Sequence, residues 1–188
     1  MATRPITVEE YKTIMNLLSN GFEYKEDDKI KRFKPNAKVG LALTLEANVG
    51  LRISDILRLT PNSIKGNKLS IIEKKTDKLQ WRNINSNIAL LIKDYAYENN
   101  IQPNQRLINI SEKAIQKQLR IICKYLQLEN VSTHSFRKLY ATMQYEANNN
   151  NIELVKELLN HSSIATTQRY IRLSQQAIDK ASEEFCLL

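Results

Sequence analysis

Three short stretches of this sequence hold the side chains that are best suited to chemistry. His134 and Arg137 stand three residues apart in STHSFRKLYAT, a spacing that places both side chains on one face of a helix. Arg52 lies in GLRISDILRLTP, and LLNHSSIATTQRY contains His161 and Tyr170. Together these residues supply two guanidinium groups, two imidazoles and one phenol, a set that can grip a phosphate group.

This set of groups suits attack on a phosphodiester. The attack builds negative charge on the non-bridging oxygens, which the forked donors of Arg52 and Arg137 can stabilise. Tyr170 can attack phosphorus once its proton is removed, and it then forms a covalent intermediate. The leaving 5'-oxygen needs a general acid, and Lys75 in the polar turn KKTDK can supply that proton. This chemistry requires no metal ion.

The elements that must position these residues are mostly helices. TVEEYKTIMNLL opens with a capping box that begins at Thr7, which predicts a first helix. The charged stretch GFEYKEDDKIKRFKPNAK is typical of a surface connection, and the apolar helix of VGLALTLEANVG follows it. A turn at Gly50 precedes a short helix with Ser54 or Asp55 as its cap. Arg52 is therefore predicted at the entrance of that helix.

The rest of the sequence predicts one hairpin and several helices. KLSIIEK and LQWRNIN alternate partly between apolar and polar residues around the polar turn, which is typical of a two-stranded hairpin. The later segments have apolar residues three or four apart, which is typical of helices. Their predicted caps are Asn85 or Ser86, Ser111, Ser132 or Thr133, and Asn151. We therefore predict a mainly α fold with a small antiparallel β-sheet, in the α+β class.

Composition limits the choice of partner and compartment. The 188 residues suit one compact domain, and 28 Lys and Arg against 20 Asp and Glu leave a net charge of +8. Such a surplus attracts polyanions, with nucleic acid as the first candidate and an anionic membrane surface as the second. No apolar run approaches the roughly 20 residues of a membrane span, and MATRPITVEEYK lacks the apolar core of a signal peptide. We expect a cytoplasmic protein.

Neither a disulfide nor a metal site is predicted. Cys123 lies in an apolar helical pattern and Cys186 lies near the end of the sequence, so two reduced thiols are expected. Two histidines and two cysteines at these spacings match no zinc pattern. We expect no metal or other cofactor in the reaction.

GLRISDILRLTP, THSFRKLYAT and LLNHSSIATTQRY resemble the three signature boxes of the tyrosine recombinase, or phage integrase, family, with the hairpin lysine between the first two. The resemblance runs from about Thr7 to about Tyr170 and includes the nine-residue step from His161 to Tyr170. It implies the catalytic-domain fold of that family. It also implies a site-specific recombinase that cuts one DNA strand, leaving a 3'-phosphotyrosyl bond and a free 5'-hydroxyl, to integrate or excise a phage or other mobile element.

The resemblance implies a role for each matching residue. Arg52 and Arg137 would clamp the scissile phosphate, and Tyr170 would be the nucleophile. His134 would assist proton transfer from Tyr170, and His161 would hydrogen-bond the phosphate. Taken singly, each residue has an ordinary structural explanation, and the order and spacing of the boxes are what favour the functional one.

Two further positions follow from the same resemblance. Lys75 would protonate the leaving oxygen, because the family's KT pair matches Lys75 and Thr76. Lys74 and Lys78 stay open as alternatives, since a one-residue slip in the hairpin changes which side chain points inward. Asp55, three residues after Arg52, matches an acidic position that steadies the active-site groups.

The resemblance also bears on organisation and partners. We expect residues 1–188 to form a single catalytic domain without the family's N-terminal DNA-binding domain, so the chain is either a fragment or a minimal form. The segment 173–188 has helical spacing and would dock on a neighbouring copy or on its own core. Expected partners are double-stranded DNA attachment sites and accessory DNA-bending or directionality factors, and no membrane. The full-length protein is expected to form a homotetramer on two duplexes, and an isolated domain to be a monomer.

Two alternatives to a recombinase stay open. A topoisomerase of the type IB kind would use the same chemistry to relax supercoils without strand exchange. A non-catalytic DNA-binding module would keep the fold but lack an active-site residue. A cluster of basic residues is assigned evenly to the DNA backbone or to a solvated surface; it comprises Lys29, Lys31, Arg32, Lys34 and Lys38.

Overall fold

The computed structural model describes residues 3–72, 79–171 and 182–184. The chain divides into two compact units, Met1–Tyr140 and Ala141–Leu188. The division falls within a helix, so the last long helix of the first unit also contributes residues to the second. The expectation of a single catalytic domain stays a prediction.

Eight α-helices, one short 3₁₀ helix (Pro61–Ser63) and five strands are described. The helices are α1 (Val8–Asn20), α2 (Ala37–Val49), α3 (Ile53–Ile56), α4 (Ser86–Glu98), α5 (Glu112–Tyr125), α6 (Thr133–Ala147), α7 (Ile152–Leu159) and α8 (Ile164–Gln168). The strands are β1 (Phe22–Glu26), β2 (Lys29–Phe33), β3 (Ile64–Lys65), β4 (Lys68–Ile72) and β5 (Leu79–Asn83). The prediction of a mainly helical fold with small antiparallel sheets is confirmed.

Most helix starts follow the predicted capping chemistry. At α1 the Thr7 side chain accepts the backbone N–H of Glu10, and the Glu10 carboxylate accepts the N–H of Thr7. Asn85, Ser111 and Asn151 likewise accept backbone N–H groups at the starts of α4, α5 and α7. Each cap satisfies a donor that has no partner inside the helix.

The predicted cap of α3 is wrong. The cap is Arg52, whose backbone is extended, and its side chain makes no capping hydrogen bond. Ser54 and Asp55 both lie within the first turn of the helix. The Asp55 side chain is buried and faces Arg52 in an ion pair, so it serves the tertiary structure instead of the helix start.

The charged stretch after α1 is not a plain connection. It forms the antiparallel hairpin of β1 and β2, with a two-residue turn at Asp27 and Asp28 that places both at positive φ. Phe22 stacks on Phe33 at 4.9 Å between ring centroids, and this apolar pair fixes the register of β1 and β2. The many charged residues of the stretch give no such signal in the sequence. Lys31 is bonded to Glu26 at 2.6 Å, and a DNA-backbone role for the basic cluster stays a prediction.

The predicted second hairpin is confirmed and gains a strand. β4 and β5 pair in antiparallel fashion from Lys68 with Asn83 to Ile72 with Leu79, and β3 pairs with β4. The turn between β4 and β5 lies outside the described residues.

The core of the first unit is apolar and draws on several helices. It includes Ile14 and Leu18 of α1, Leu43 and Leu45 of α2, Ile92 of α4, Ile115, Leu119 and Ile122 of α5, and Phe136 of α6. In the second unit, Val155 and Leu159 of α7 are buried. Within the described residues, the helices are too short or too polar to cross a membrane.

Candidate active site

The end of α2 is an acceptor site for two arginine side chains. Gly50 closes the helix in the left-handed conformation at φ 68°, and its carbonyl oxygen accepts a hydrogen bond from Arg137 Nη1 at 2.7 Å. The neighbouring carbonyl of Val49 accepts one from Arg82 Nη1, also at 2.7 Å. The C-terminal end of a helix carries partial negative charge, which favours these guanidinium groups.

This corner fixes the position of Arg137 on α6. Arg137 is only 2% exposed, so its charge depends on partners that the protein provides. The ring of Tyr140, one turn further along α6, packs so closely on Gly50 that a Cβ atom there would overlap it. The same contact therefore sets the spacing between α6 and the end of α2.

Arg52 stands directly after this corner. Leu51, which separates Gly50 from Arg52, is buried, whereas 25% of the Arg52 side chain is exposed. Asp55 lies one turn further on, only 2% exposed, with its Oδ2 4.0 Å from Arg52 Nη1. A buried carboxylate at this distance can orient Arg52, and the role of Asp55 in steadying the active-site groups stays a prediction.

His134 is neutral at neutral pH in this environment. Burial lowers the pKa of its imidazole to about 4, and the positive charges of Arg137, Lys138 and Arg52 add to that effect. Arg137 and Lys138 follow His134 by three and four residues on α6, so the three side chains lie on one face of that helix. A neutral imidazole can accept a proton, whereas an imidazolium cannot.

The start of α6 is tied to the N-terminal segment of the first unit. Lys138 follows Arg137 in sequence and is buried. Its ammonium group donates a hydrogen bond to the carbonyl oxygen of Thr3. Arg4 donates its backbone N–H to Asn130 at 2.9 Å and its Nε to the carbonyl of Glu129 at 3.1 Å. These bonds hold the loop that leads into α6, and with it the helix that carries His134 and Arg137.

The second unit brings His161 and Tyr170 into contact. Both are buried, their ring centroids lie 4.8 Å apart, and the rings meet edge to face. Asn160 ends α7 in the left-handed conformation, and α8 then carries the chain back, so the nine-residue step in sequence becomes a direct contact. His161 Nδ1 and the buried Thr167 hydroxyl share a hydrogen bond of 3.0 Å, which orients the imidazole.

The structure thus groups the predicted residues by unit. Arg52, Asp55, His134 and Arg137 belong to the first unit. His161 and Tyr170 belong to the second.

The predicted general-acid lysine lies outside the residues that the structure describes, and so does most of the predicted docking segment. Lys75 and its alternatives Lys74 and Lys78 lie outside the described residues, as does most of 173–188. Cys123 is a buried free thiol, and burial raises its pKa to about 11, while Cys186 lies outside the described residues. In the ranges that the structure describes, no cluster of His, Cys, Asp and Glu side chains could hold a metal ion.

The sequence did not predict the contacts that Arg137 and Arg82 make at the end of α2. The sequence predicts a turn at Gly50, but nothing in it indicates that the Gly50 carbonyl accepts a hydrogen bond from Arg137. Arg82 lies in the predicted hairpin, and its contact with Val49 spans 33 positions of sequence, so no local pattern reveals it. Tyr140 follows Arg137 by three residues, a helical spacing that was a usable signal for a shared face.

Comparison with known proteins gives the class that this fold and these residues define. The model of the phage integrase family matches residues 4–177. The chain belongs to the phage integrase family, as the three sequence boxes predicted.

Two relatives show how far the sequence similarity extends. The tyrosine recombinase XerC of Caldanaerobacter subterraneus subsp. tengcongensis is 28% identical over 190 residues, covering 94% of this chain and 49% of that protein. A probable integrase/recombinase of Acholeplasma phage L2 is 30% identical over 138 residues, covering 68% of this chain and 46% of that protein. The chain therefore spans about half the length of these relatives.

Solved structures share the fold. The XerH site-specific recombinase, bound to palindromic difH substrate in a post-cleavage complex, superposes with a TM-score of 0.72 at 20% identity, covering 96% of this chain and 52% of that one. The catalytic domain of bacteriophage HP1 integrase gives 0.66 at 19% identity, covering 98% of this chain and 96% of that one. The fold of this chain is that of tyrosine recombinase catalytic domains.

Proposed function

We propose that this chain is the catalytic part of a site-specific DNA recombinase that breaks and rejoins DNA strands through a covalent bond to Tyr170. The observation that carries the proposal is the cluster of the first unit. Arg137 shares a face of α6 with His134, and its guanidinium is bonded to the carbonyl of Gly50, two residues before Arg52. Two guanidinium groups suit a phosphodiester, and a neutral imidazole suits proton transfer.

Each residue has a distinct role in this proposal. Arg52 and Arg137 stabilise the charge that grows on the non-bridging oxygens as the phosphate is attacked. Tyr170 attacks phosphorus, with His134 assisting the departure of its proton and His161 donating a hydrogen bond to the phosphate.

The leaving group needs its own proton donor. Lys75 protonates the 5'-oxygen in this proposal, and Lys74 and Lys78 remain its alternatives. The phosphotyrosyl bond keeps the energy of the broken phosphodiester, so the 5'-hydroxyl of a partner strand can reverse the attack. No high-energy cofactor is needed for rejoining.

The substrate and partners are proposed from the same family. The XerH relative is bound to its difH substrate, and a lambda integrase dimer is bound to a COC' core site. We therefore propose a double-stranded DNA attachment site as the substrate, a homotetramer on two duplexes as the working assembly, and accessory DNA-bending or directionality factors. A protein that acts on DNA of this kind would work in the cytoplasm.

The test is covalent trapping on a nicked suicide duplex. Cleavage near the nick releases a short fragment that carries the 5'-hydroxyl, so rejoining is prevented and the protein stays joined to the 3'-phosphate of the 5'-labelled strand. We expect a slow-migrating labelled band on a denaturing gel, absent in Tyr170→Phe and retained in Tyr125→Phe, a control tyrosine on an exposed face of α5.

The outcomes separate the alternatives. DNA binding without a band would favour the non-catalytic module. A Tyr170-dependent band together with relaxation of supercoiled DNA and no strand exchange would favour the topoisomerase. A band that persists in Tyr170→Phe would contradict the assignment of the nucleophile.

A further inference from the structure

Glu46 is a buried carboxyl group that the proposed chemistry does not use. It lies on α2, four residues before Gly50, and is 0% exposed. Neither of its carboxyl oxygens has a hydrogen-bond partner among the described residues. Buried polar groups are nearly always hydrogen-bonded, so a carboxyl group left in this state calls for a physical explanation.

The position of Glu46 relates it to Arg137. The backbone carbonyl of Glu46 accepts the N–H of Gly50 at 3.1 Å, and the carbonyl of Gly50 accepts Arg137 Nη1. Gly50 is therefore hydrogen-bonded to both residues, to the backbone carbonyl of Glu46 through its N–H and to the guanidinium of Arg137 through its carbonyl.

Three elements bring charged groups toward this region. Arg137 on α6 and Glu112 at the start of α5 act on the Glu46 carboxyl electrostatically, and Arg82 on β5 is bonded to the nearby carbonyl of Val49. Burial raises the pKa of Glu46 well above its usual value, Arg137 opposes that effect, and Glu112 adds to it. The proton affinity of Glu46 thus depends on how much of the charge of Arg137 is available to it.

A phosphate on Arg137 changes that balance. Its negative charge offsets the guanidinium and also repels a carboxylate nearby, so both effects favour the protonated form of Glu46. In the reverse direction, an ionised Glu46 neutralises part of the charge of Arg137 and weakens its hold on phosphate. The two events are linked, and the linkage is reciprocal.

We propose that Glu46 is a positioning residue for Arg137: at pH values where Glu46 is ionised in the free protein, its carboxyl group takes up a proton from solvent when Arg137 binds a phosphate and releases it when the phosphate leaves. The proposal rests on the proposed function in one respect, because it takes Arg137 to be a phosphate-binding residue. It assigns to Glu46 no contact with DNA and no part in bond breaking.

The first test measures phosphate binding without any reaction. Thermal midpoints of the wild type and Glu46→Gln are compared with and without inorganic phosphate, at constant ionic strength in chloride, over a series of pH values. Glu98→Gln, which removes an exposed carboxylate from the end of α4, is the matched control. The ionisation of phosphate itself is common to all three proteins and cancels in the comparison.

We expect phosphate to stabilise the wild type and Glu46→Gln equally at acid pH, and Glu46→Gln more strongly as the pH rises. Glu98→Gln should follow the wild type throughout. Equal stabilisation of the wild type and Glu46→Gln at every pH would overturn the proposal. An absence of stabilisation by phosphate in all three proteins would also overturn it.

The second test uses the rate of covalent trapping on the suicide duplex. At a DNA concentration below saturation, the ratio of the Glu46→Gln rate to the wild-type rate should increase with pH once Glu46 ionises, because the ionised wild type holds the phosphate less tightly. A ratio that is low and independent of pH would show a merely structural role. If no protein forms a covalent band but the phosphate test gives the expected difference, the proposed function fails while the link between Glu46 and Arg137 stands.

Discussion

At the scale of single residues, the two arginines of the first unit are held in different ways. Arg137 is almost fully buried and anchored on the carbonyl of Gly50, while Arg52 keeps part of its side chain exposed beside the buried Asp55. Both arrangements fix a guanidinium before a phosphate arrives. Such preorganised charge costs little further reorganisation when the transition state forms.

Replacing either arginine should therefore affect cleavage more than binding. We expect Arg52→Ala or Arg137→Ala to slow covalent trapping by on the order of 10²- to 10³-fold. DNA affinity should fall far less, because many other phosphate contacts support it. Arg120→Ala, on an exposed face of α5, removes the same charge and serves as the control. Equal losses of cleavage and binding in Arg52→Ala and Arg137→Ala would count against the phosphate clamp.

The pKa of His134 makes a second prediction at this scale. Because the folded pKa is about 4, the unfolded chain binds a proton at His134 at a higher pH than the folded chain does. The contribution of His134 to stability is then present above about pH 6.5 and is lost as the pH falls toward 4. As the pH is lowered from about 6.5 to about 4, we expect the thermal midpoint of His134→Gln to fall less than that of the wild type.

Proton NMR offers a direct check of the same pKa. The chain has two histidines, so two imidazole signals are expected, and His134→Gln identifies one of them. The His134 signal should keep its neutral position down to about pH 5. A midpoint near the ordinary value of about 6.5 would refute the burial argument.

At the scale of elements, the junction of α2 and α6 determines where the cations lie. Gly50 adopts a positive φ, and its Cα is covered by the ring of Tyr140. The junction therefore requires both the left-handed backbone and the missing side chain of glycine.

Gly50→Ala should be strongly destabilising. A methyl group there strains the backbone and pushes Tyr140 away from the end of α2, and we expect a loss of about 2 to 4 kcal/mol in the free energy of unfolding. Gly40→Ala is the matched control, because the added Cβ meets no neighbouring atom and lies in the interior of α2. It should be neutral or stabilising by up to about 1 kcal/mol. Urea denaturation of both variants measures the difference, and similar losses would contradict this account of Gly50.

At the scale of the whole molecule, charge is the clearest property. The net charge of +8 predicts that DNA binding depends on release of counterions from the phosphate backbone. Under the proposed function DNA is that polyanion, whereas composition alone also allowed an anionic membrane surface.

Salt should weaken DNA binding steeply. We expect affinity to fall by on the order of 10³-fold between about 50 mM and about 200 mM salt, because each phosphate contact contributes to the slope of affinity against salt concentration. Fluorescence anisotropy with a labelled duplex measures this slope. Tyr170→Phe should give the same slope as the wild type, since it carries the same charge. A flat response would contradict an interface dominated by phosphate contacts.

The sequence by itself determined the class of protein and most of the local structure. Capping residues such as Thr7, Ser111 and Asn151 act within a few residues of themselves, so their effects can be read locally. The order and spacing of the boxes likewise identified the family, and with it the candidate residues. The β1–β2 hairpin escaped prediction because its register depends on the stacking of Phe22 on Phe33 within a highly charged stretch.

Only the tertiary structure decided how the cations of the first unit are supported. The contacts of Arg137 with Gly50 and of Arg82 with Val49 join residues 87 and 33 positions apart, and no periodicity in the chain encodes such pairs. The neutral state of His134 and the buried carboxyl of Glu46 arise from desolvation and from charges on other elements. Burial and long-range electrostatics are properties of the packed molecule, so they appear only when its helices and strands are in place.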